Sequence, residues 1–105
     1  MDVLLIGNDQ LITVVGLKDE ITGEFINDAA VEVTLKDRSG NEVAGQSWPF
    51  TLDYVTDTDG DYRGILEDGL ALQPNKLYTV IIDVDAGDDS IANWKFERYA
   101  HYRTP

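Results

Sequence analysis

The chain has 105 residues, with twenty acidic and eight basic side chains, one histidine and no cysteine, for a net charge of −12. That length makes one domain, which buries roughly 65% of its unfolded surface and can hold one core without staples. The cysteine count excludes a disulfide framework and a thiolate metal site and fits folding in a reducing cytosol, while the charge repels phosphate backbones, so no nucleic-acid partner is expected.

Residues 2–6 read as a short first strand; no basic stretch precedes their apolar run, so no signal peptide is expected. The turn Gly7-Asn8-Asp9 leads into a second strand, 10–17. There Leu11, Thr13, Val15 and Leu17 alternate with Ile12, Val14 and Gly16, apolar on both faces as in a central strand. A loop from Asp19 to Asp28 contains Thr22-Gly23. The third strand, 29–37, alternates Val31, Val33 and Leu35 with Glu32, Thr34 and Lys36, and Arg38-Ser39-Gly40-Asn41 turns the chain. Residues 42–47 read as a fourth strand. A fifth, 50–56, alternates Phe50, Leu52 and Tyr54 with Thr51 and Asp53, and the acidic turn Asp57-Thr58-Asp59-Gly60-Asp61 joins it to a sixth, 61–66.

Residues 66–72 have room for one helical turn, too short to change the class. Gln73-Pro74-Asn75-Lys76 closes the next connection. A strand over 76–85 places Tyr78, Val80, Ile82 and Val84 on one face; Gly87-Asp88-Asp89-Ser90 turns the chain into the last strand, 92–102, with Ala92, Trp94 and Phe96 on one face. No window shows an apolar period of 3.6, and apolar runs such as Val80-Ile81-Ile82 are far too short to cross a bilayer, so no membrane is expected. Period two with turns at this spacing implies an all-β fold: an antiparallel sandwich of seven or eight strands, Ig-like or transthyretin-like. Consecutive strands are expected to pair antiparallel into two facing sheets. Trp48, Trp94, Tyr54, Tyr62 and Tyr78 supply the largest side chains of its core or rim.

Little in the chain carries catalysis. Asp57, Asp59 and Asp61 alternate as at the start of many calcium loops, since a hard cation wants several oxygens from a tightly curved backbone. The sixth position, where such a loop needs glycine, is Tyr62, and the twelfth, where it needs a bidentate Glu, is Asp68. The segment therefore reads as an acidic hairpin turn. A second group, Asp83, Asp85, Asp88 and Asp89, falls at a strand end. His101 has no Gly-x-Ser-x-Gly elbow or cysteine to activate, and no phosphate-binding glycine loop opens a helix. No enzyme, metal or cofactor is expected.

The last strand carries the clearest functional signal. Lys95, Arg98 and Arg103 gather beside the lone histidine on a chain otherwise poor in basic residues. Alternation puts Tyr99, His101 and Arg103 on one face and Arg98, Ala100 and Tyr102 on the other. Tyrosine and arginine are enriched at interface hot spots. Arg98, Tyr99, His101, Tyr102 and Arg103 are thus the expected partner interface; a solvated sheet edge is the plainer reading.

Two stretches resemble known families. Val15 to Asp19, Thr22-Gly23-Glu24 and Asn27 to Val33 look like the opening of carboxypeptidase-regulatory-like and related prealbumin-like domains. Thr56 to Tyr62, Leu72-Gln73-Pro74 and Tyr78-Thr79-Val80 resemble the second half of that pattern. Over nearly its full length the chain is similar to small structural proteins of tailed bacteriophages and prophages, through its Val-Leu-Leu start, Gln46-Ser47-Trp48-Pro49, Gly60-Asp61-Tyr62-Arg63 and the Trp94 strand. That resemblance implies a virion structural or assembly component of head, connector or tail. It implies no catalytic residues, other phage structural proteins or a second copy as partner, and a place in the host cytoplasm during assembly or in the virion. A carbohydrate- or surface-binding module, stacking sugars on an exposed aromatic such as Trp48, is the alternative from another class.

Overall fold

Seven of the eight alternating segments become strands: β1 (Leu4–Ile6), β2 (Gln10–Val14), β3 (Ala30–Lys36), β4 (Phe50–Tyr54), β5 (Tyr62–Leu66), β6 (Leu77–Asp85) and β7 (Ile91–Tyr102). The computed structural model describes residues 3–87 and 91–103, and no helix occurs among them. Residues 66–72 hold the end of β5 and a turn at 68–69, without a helical turn. Residues 42–47, expected as a strand, make only an isolated bridge, Lys36 to Glu42. Val43 alone of that stretch is buried with its amide on Leu35 O, and Ala44 O accepts from the Ala71 amide, so the segment docks as a loop against residues 70–71 instead of joining a ladder.

The expected pairing of consecutive strands into two facing sheets is corrected by the strand order. One seven-stranded mixed sheet runs β1-β7-β6-β3-β4-β5-β2 and curls nearly closed into a barrel. β2 pairs with β5 and β3 with β6, both antiparallel, while β1 lies parallel to β7. A second correction concerns residues 10–17. Their two apolar faces suggested a central strand, but β2 ends the sheet and Leu11 and Val15 are 52% and 75% exposed. Only one face of that strand meets the core, through Ile12.

The core follows the alternation elsewhere. Register sets Val31 opposite Val84, Val33 opposite Ile82 and Leu35 opposite Val80, and all six are buried. Cross-strand pairs of this kind are the unit of sheet stability, and burying each such side chain contributes about 1.5–3 kcal/mol. Tyr62 and Tyr78 are buried too, and their hydroxyls are satisfied. Tyr62 donates to Ile26 O at 2.7 Å and accepts from the Ala29 amide at 3.1 Å; Tyr78 accepts from the Gln73 amide at 2.8 Å. Burial pushes the Tyr62 phenol above its usual value, the Ala29 N–H opposes this, and Asp28 and Tyr54 reinforce it.

A side chain joins the two ends of the sheet. Gln10, at the start of β2, donates through Nε2 to Val3 O at 2.8 Å, and its Oε1 accepts the Leu5 amide at 2.9 Å. The amide group of one glutamine thus substitutes for a rung between β1 and β2.

Candidate functional site

β7 is covered differently along its length. On one side it pairs with β6 from Ile91 to Tyr99, and on the other β1 reaches only Ala100, His101 and Tyr102. Residues 100–102 therefore lie beside β1, with Ala100 also bonded on its other side to Asn75 and Lys76, while residues 91–99 lie beside β6. Ala100 is fully buried opposite Leu4.

Alternation divides the five expected interface residues as their spacing required. Ala92, Trp94, Phe96 and Arg98 lie opposite Val84, Ile82, Val80 and Tyr78, all of them buried, so this set faces inward. Tyr99 and His101 sit on the outer face with ring centroids 6.4 Å apart. Tyr102 and Arg103 are exposed beyond them. Arg98 lies over the Phe96 ring at 4.6 Å and donates from Nη1 to Glu97 O at 2.7 Å. The five residues thus occupy both faces and the end of one strand, not a single patch.

Trp94 faces inward yet is 42% exposed. The reason is a gap in the nearly closed sheet. Among the described residues, no strand pairs with β7 at Trp94 on the side away from β6. The result is a cleft of about 610 Å³ lined by Val14, Val15, Leu17, Ile82, Trp94 and Phe96 among others. Lys18, at its rim, holds its ammonium 4.7 Å from the Phe25 ring. Sequence reasoning missed this cleft, because period-two alternation says which way Trp94 points but not which strand is absent beside it. A second exposed apolar pair, Leu11 opposite Ile65, lines a groove on the outer face of β2 and β5.

The other candidates are structural. Trp48 is half-buried, tilted on Phe50 with centroids 5.6 Å apart, and its Nε1 donates to Val43 O at 2.6 Å, which leaves it a poor platform for a sugar ring. The acidic turn 57–61 is a clasp. Asp61 Oδ1 accepts from the Gly16 amide, Gly60 N–H donates to Asn27 Oδ1, and Gly60 O accepts from Leu17, all within 2.8–2.9 Å. Thr58 Oγ1 donates to Val55 O, and Tyr54 donates its hydroxyl to Thr58 O. Of the second acidic group, Asp88 and Asp89 lie outside the described residues, Asp85 accepts the Gly87 amide and Asp83 accepts from Asn93. Among the described residues, the carboxylates that approach one another as metal ligands would are the exposed Asp9, Glu67 and Asp68, and Asp9 Oδ1 already accepts the Asp68 amide.

No charged side chain is buried among the described residues, and no helix is long and apolar enough to cross a membrane. No protein-family model, curated protein or solved structure matches the chain. The site that geometry singles out is β7, a strand that carries exposed aromatic and cationic side chains.

Proposed function

We propose that the chain is a non-enzymatic interaction module that works by contact between preformed surfaces, and that it serves as a virion structural or assembly component of a tailed phage. The observation that carries the interaction reading is the concentration of exposed aromatics on β7: Trp94 at 42%, Tyr99 at 53% and Tyr102 at 65%. Such rings offer large contact area at low entropic cost, and the neighbouring cations steer an acidic partner. The phage assignment rests on the sequence resemblance.

An Ig-like sandwich is the finer fold reading. It is supported by a first strand parallel to the last and by the crossed pairings β2–β5 and β3–β6. Tyr78 adds to it: near the start of β6, it takes its hydrogen bond from the backbone of Gln73 upstream, as a tyrosine corner does. Edges and flat faces of such sandwiches pair readily with neighbours.

Electron microscopy of particles carrying a labelled copy tests the proposal. Label at a repeating position in head, connector or tail supports it; absence from both purified particles and assembly intermediates overturns it. A carbohydrate-binding module is the second reading. It rests on the exposed indole of Trp94 and requires glycan binding that Trp94→Ala abolishes.

A further inference from the structure

We propose that the groove at the end of the β6–β7 ladder, between the turn after β3 and the connection into β6, binds a neutral oligosaccharide, with Tyr99 as its stacking platform. This inference goes beyond the interaction reading. It starts from a concavity of about 590 Å³, within the size range of small-ligand sites. One wall is the segment 37–44, where the Val43 amide donates to Leu35 O and Ala44 O accepts from the Ala71 amide. The other wall is 73–76, held to β7 by the Asn75 amide on Ala100 O and the Ala100 amide on Lys76 O. Tyr99 stands on the last rung of the β6–β7 ladder, opposite Leu77, and is 53% exposed. Both walls are thus fixed by backbone hydrogen bonds, and an entering ligand has little to order.

The side chains select the ligand. Elsewhere, Gln10, Gln46 and Asn27 all spend their side-chain amide groups on backbone partners. In the groove, the side chains of Glu42, Gln73, Asn75 and Lys76 have no hydrogen-bond partner among the described residues. Tyr78 lines the same groove and is buried. Its hydroxyl accepts the Gln73 amide at 2.8 Å, and its own hydrogen has no acceptor among the described residues. A carboxylate only accepts, an ammonium only donates, and an amide does both. That mixed set matches adjacent hydroxyls, each of which donates one hydrogen bond and accepts others.

Charge argues the same way. On a chain of net charge −12, this groove is balanced, with Arg38 and Lys76 offsetting Asp37 and Glu42. Its field therefore concentrates neither a phosphate nor a cation. Val43, Ala44, Ala71 and Leu77 add apolar surface beside the Tyr99 ring. A neutral molecule edged with hydroxyls and faced with C–H groups is a sugar ring, and the groove has room for a disaccharide.

A glycan array probed with the labelled full chain tests this, followed by NMR titration of the isotope-labelled chain with the best neutral glycan. Saturable binding that shifts the side-chain amide signals of Gln73 and Asn75 is expected. Tyr99→Ala removes the platform. Asn75→Gly removes one amide and keeps the left-handed backbone of that residue, φ +61°, accessible. Each should weaken binding about tenfold, whereas Tyr99→Phe, which keeps the ring, should bind like wild type. Both positions are exposed, and circular dichroism and melting temperature control for folding. Trp94→Ala should leave binding unchanged. An array on which no neutral glycan binds overturns the proposal. So does inorganic phosphate shifting the same signals where glycans do not, or glycan binding that Tyr99→Ala leaves intact. Binding kept by Tyr99→Ala and lost by Trp94→Ala would place the glycan in the Trp94 cleft instead. Particle incorporation is read separately, so failure here is distinguishable from failure of the interaction reading.

Discussion

Replacing Gly60 with alanine tests the clasp between the β4–β5 turn and the segment after β2. Gly60 sits at φ +76°, and a Cβ there would lie 2.5 Å from both the N and the O of Leu17. Two costs follow. The left-handed backbone costs an L-residue with a Cβ about 1–2 kcal/mol. The collision is with main chain, which cannot swing aside as a long side chain would, so the turn must move. That movement stretches the hydrogen bonds Leu17 N–H to Gly60 O and Gly60 N–H to Asn27 Oδ1, each contributing about 0.5–1.5 kcal/mol. The sum is about 2–5 kcal/mol, a large share of the 5–15 kcal/mol that holds a domain together, and corresponds to a fall of roughly 10–25 °C in melting temperature. Gly23→Ala is the matched control, because its φ of +74° is nearly the same but nothing lies within 4 Å of a Cβ there. It should cost only the torsional part, about 1–2 kcal/mol. Thermal and urea unfolding of both variants give the comparison. If Gly60→Ala lies within about 1 kcal/mol of Gly23→Ala, a change too small for lost packing and hydrogen bonds, the clasp argument is wrong.

Two further outcomes are expected. Tyr62→Phe leaves Ile26 O and the Ala29 amide without their partner and should cost about 1–3 kcal/mol near neutral pH. Because the folded phenol titrates above its unfolded value, its contribution is complete below about pH 10 and is lost as pH rises through the folded value; denaturant titrations should show the gap between wild type and Tyr62→Phe narrowing only at alkaline pH, and a gap that narrows toward acid would contradict the assignment. Gln10→Ala removes both side-chain bonds to β1 and should cost about 1–3 kcal/mol, with hydrogen exchange at the Leu5 amide rising before that of β3 or β6; unchanged protection at Leu5 would show that β1 is held by β7 alone.

The strands that can be read from sequence are those whose two faces meet different surroundings. In β3 and β6, apolar residues at every second position are buried while their neighbours stay wetter, and both strands were legible to within a residue. The stretch 42–47 misled because its alternation involves one buried side chain, Val43, which a docked loop can satisfy as well as a strand. Segment 10–17 misled for the opposite reason. Leu11 and Val15 are apolar but exposed, so composition there reports surface and not centrality. Pairing is a non-local property, and a three-residue strand such as β1 carries no pattern that names β7 as its neighbour. For the same reason the cluster at Arg98–Arg103 was visible as chemistry, whereas the cleft beside Trp94 was not. Gln10, a polar residue beside an apolar run, reads as solvent-facing until its two backbone partners are seen.

The parallel register of β1 on β7 determines how the domain answers a mechanical load. Leu4 faces Ala100 and Ile6 faces Tyr102, so tension entering ahead of Leu4 and leaving after Tyr102 slides one strand along the other. The rungs between them are then strained together, not opened one after another as in a peeled hairpin, and the Gln10 amide restrains β1 from its opposite side. A three-residue strand placed this way is a shear pin between the first and last strands of the sheet.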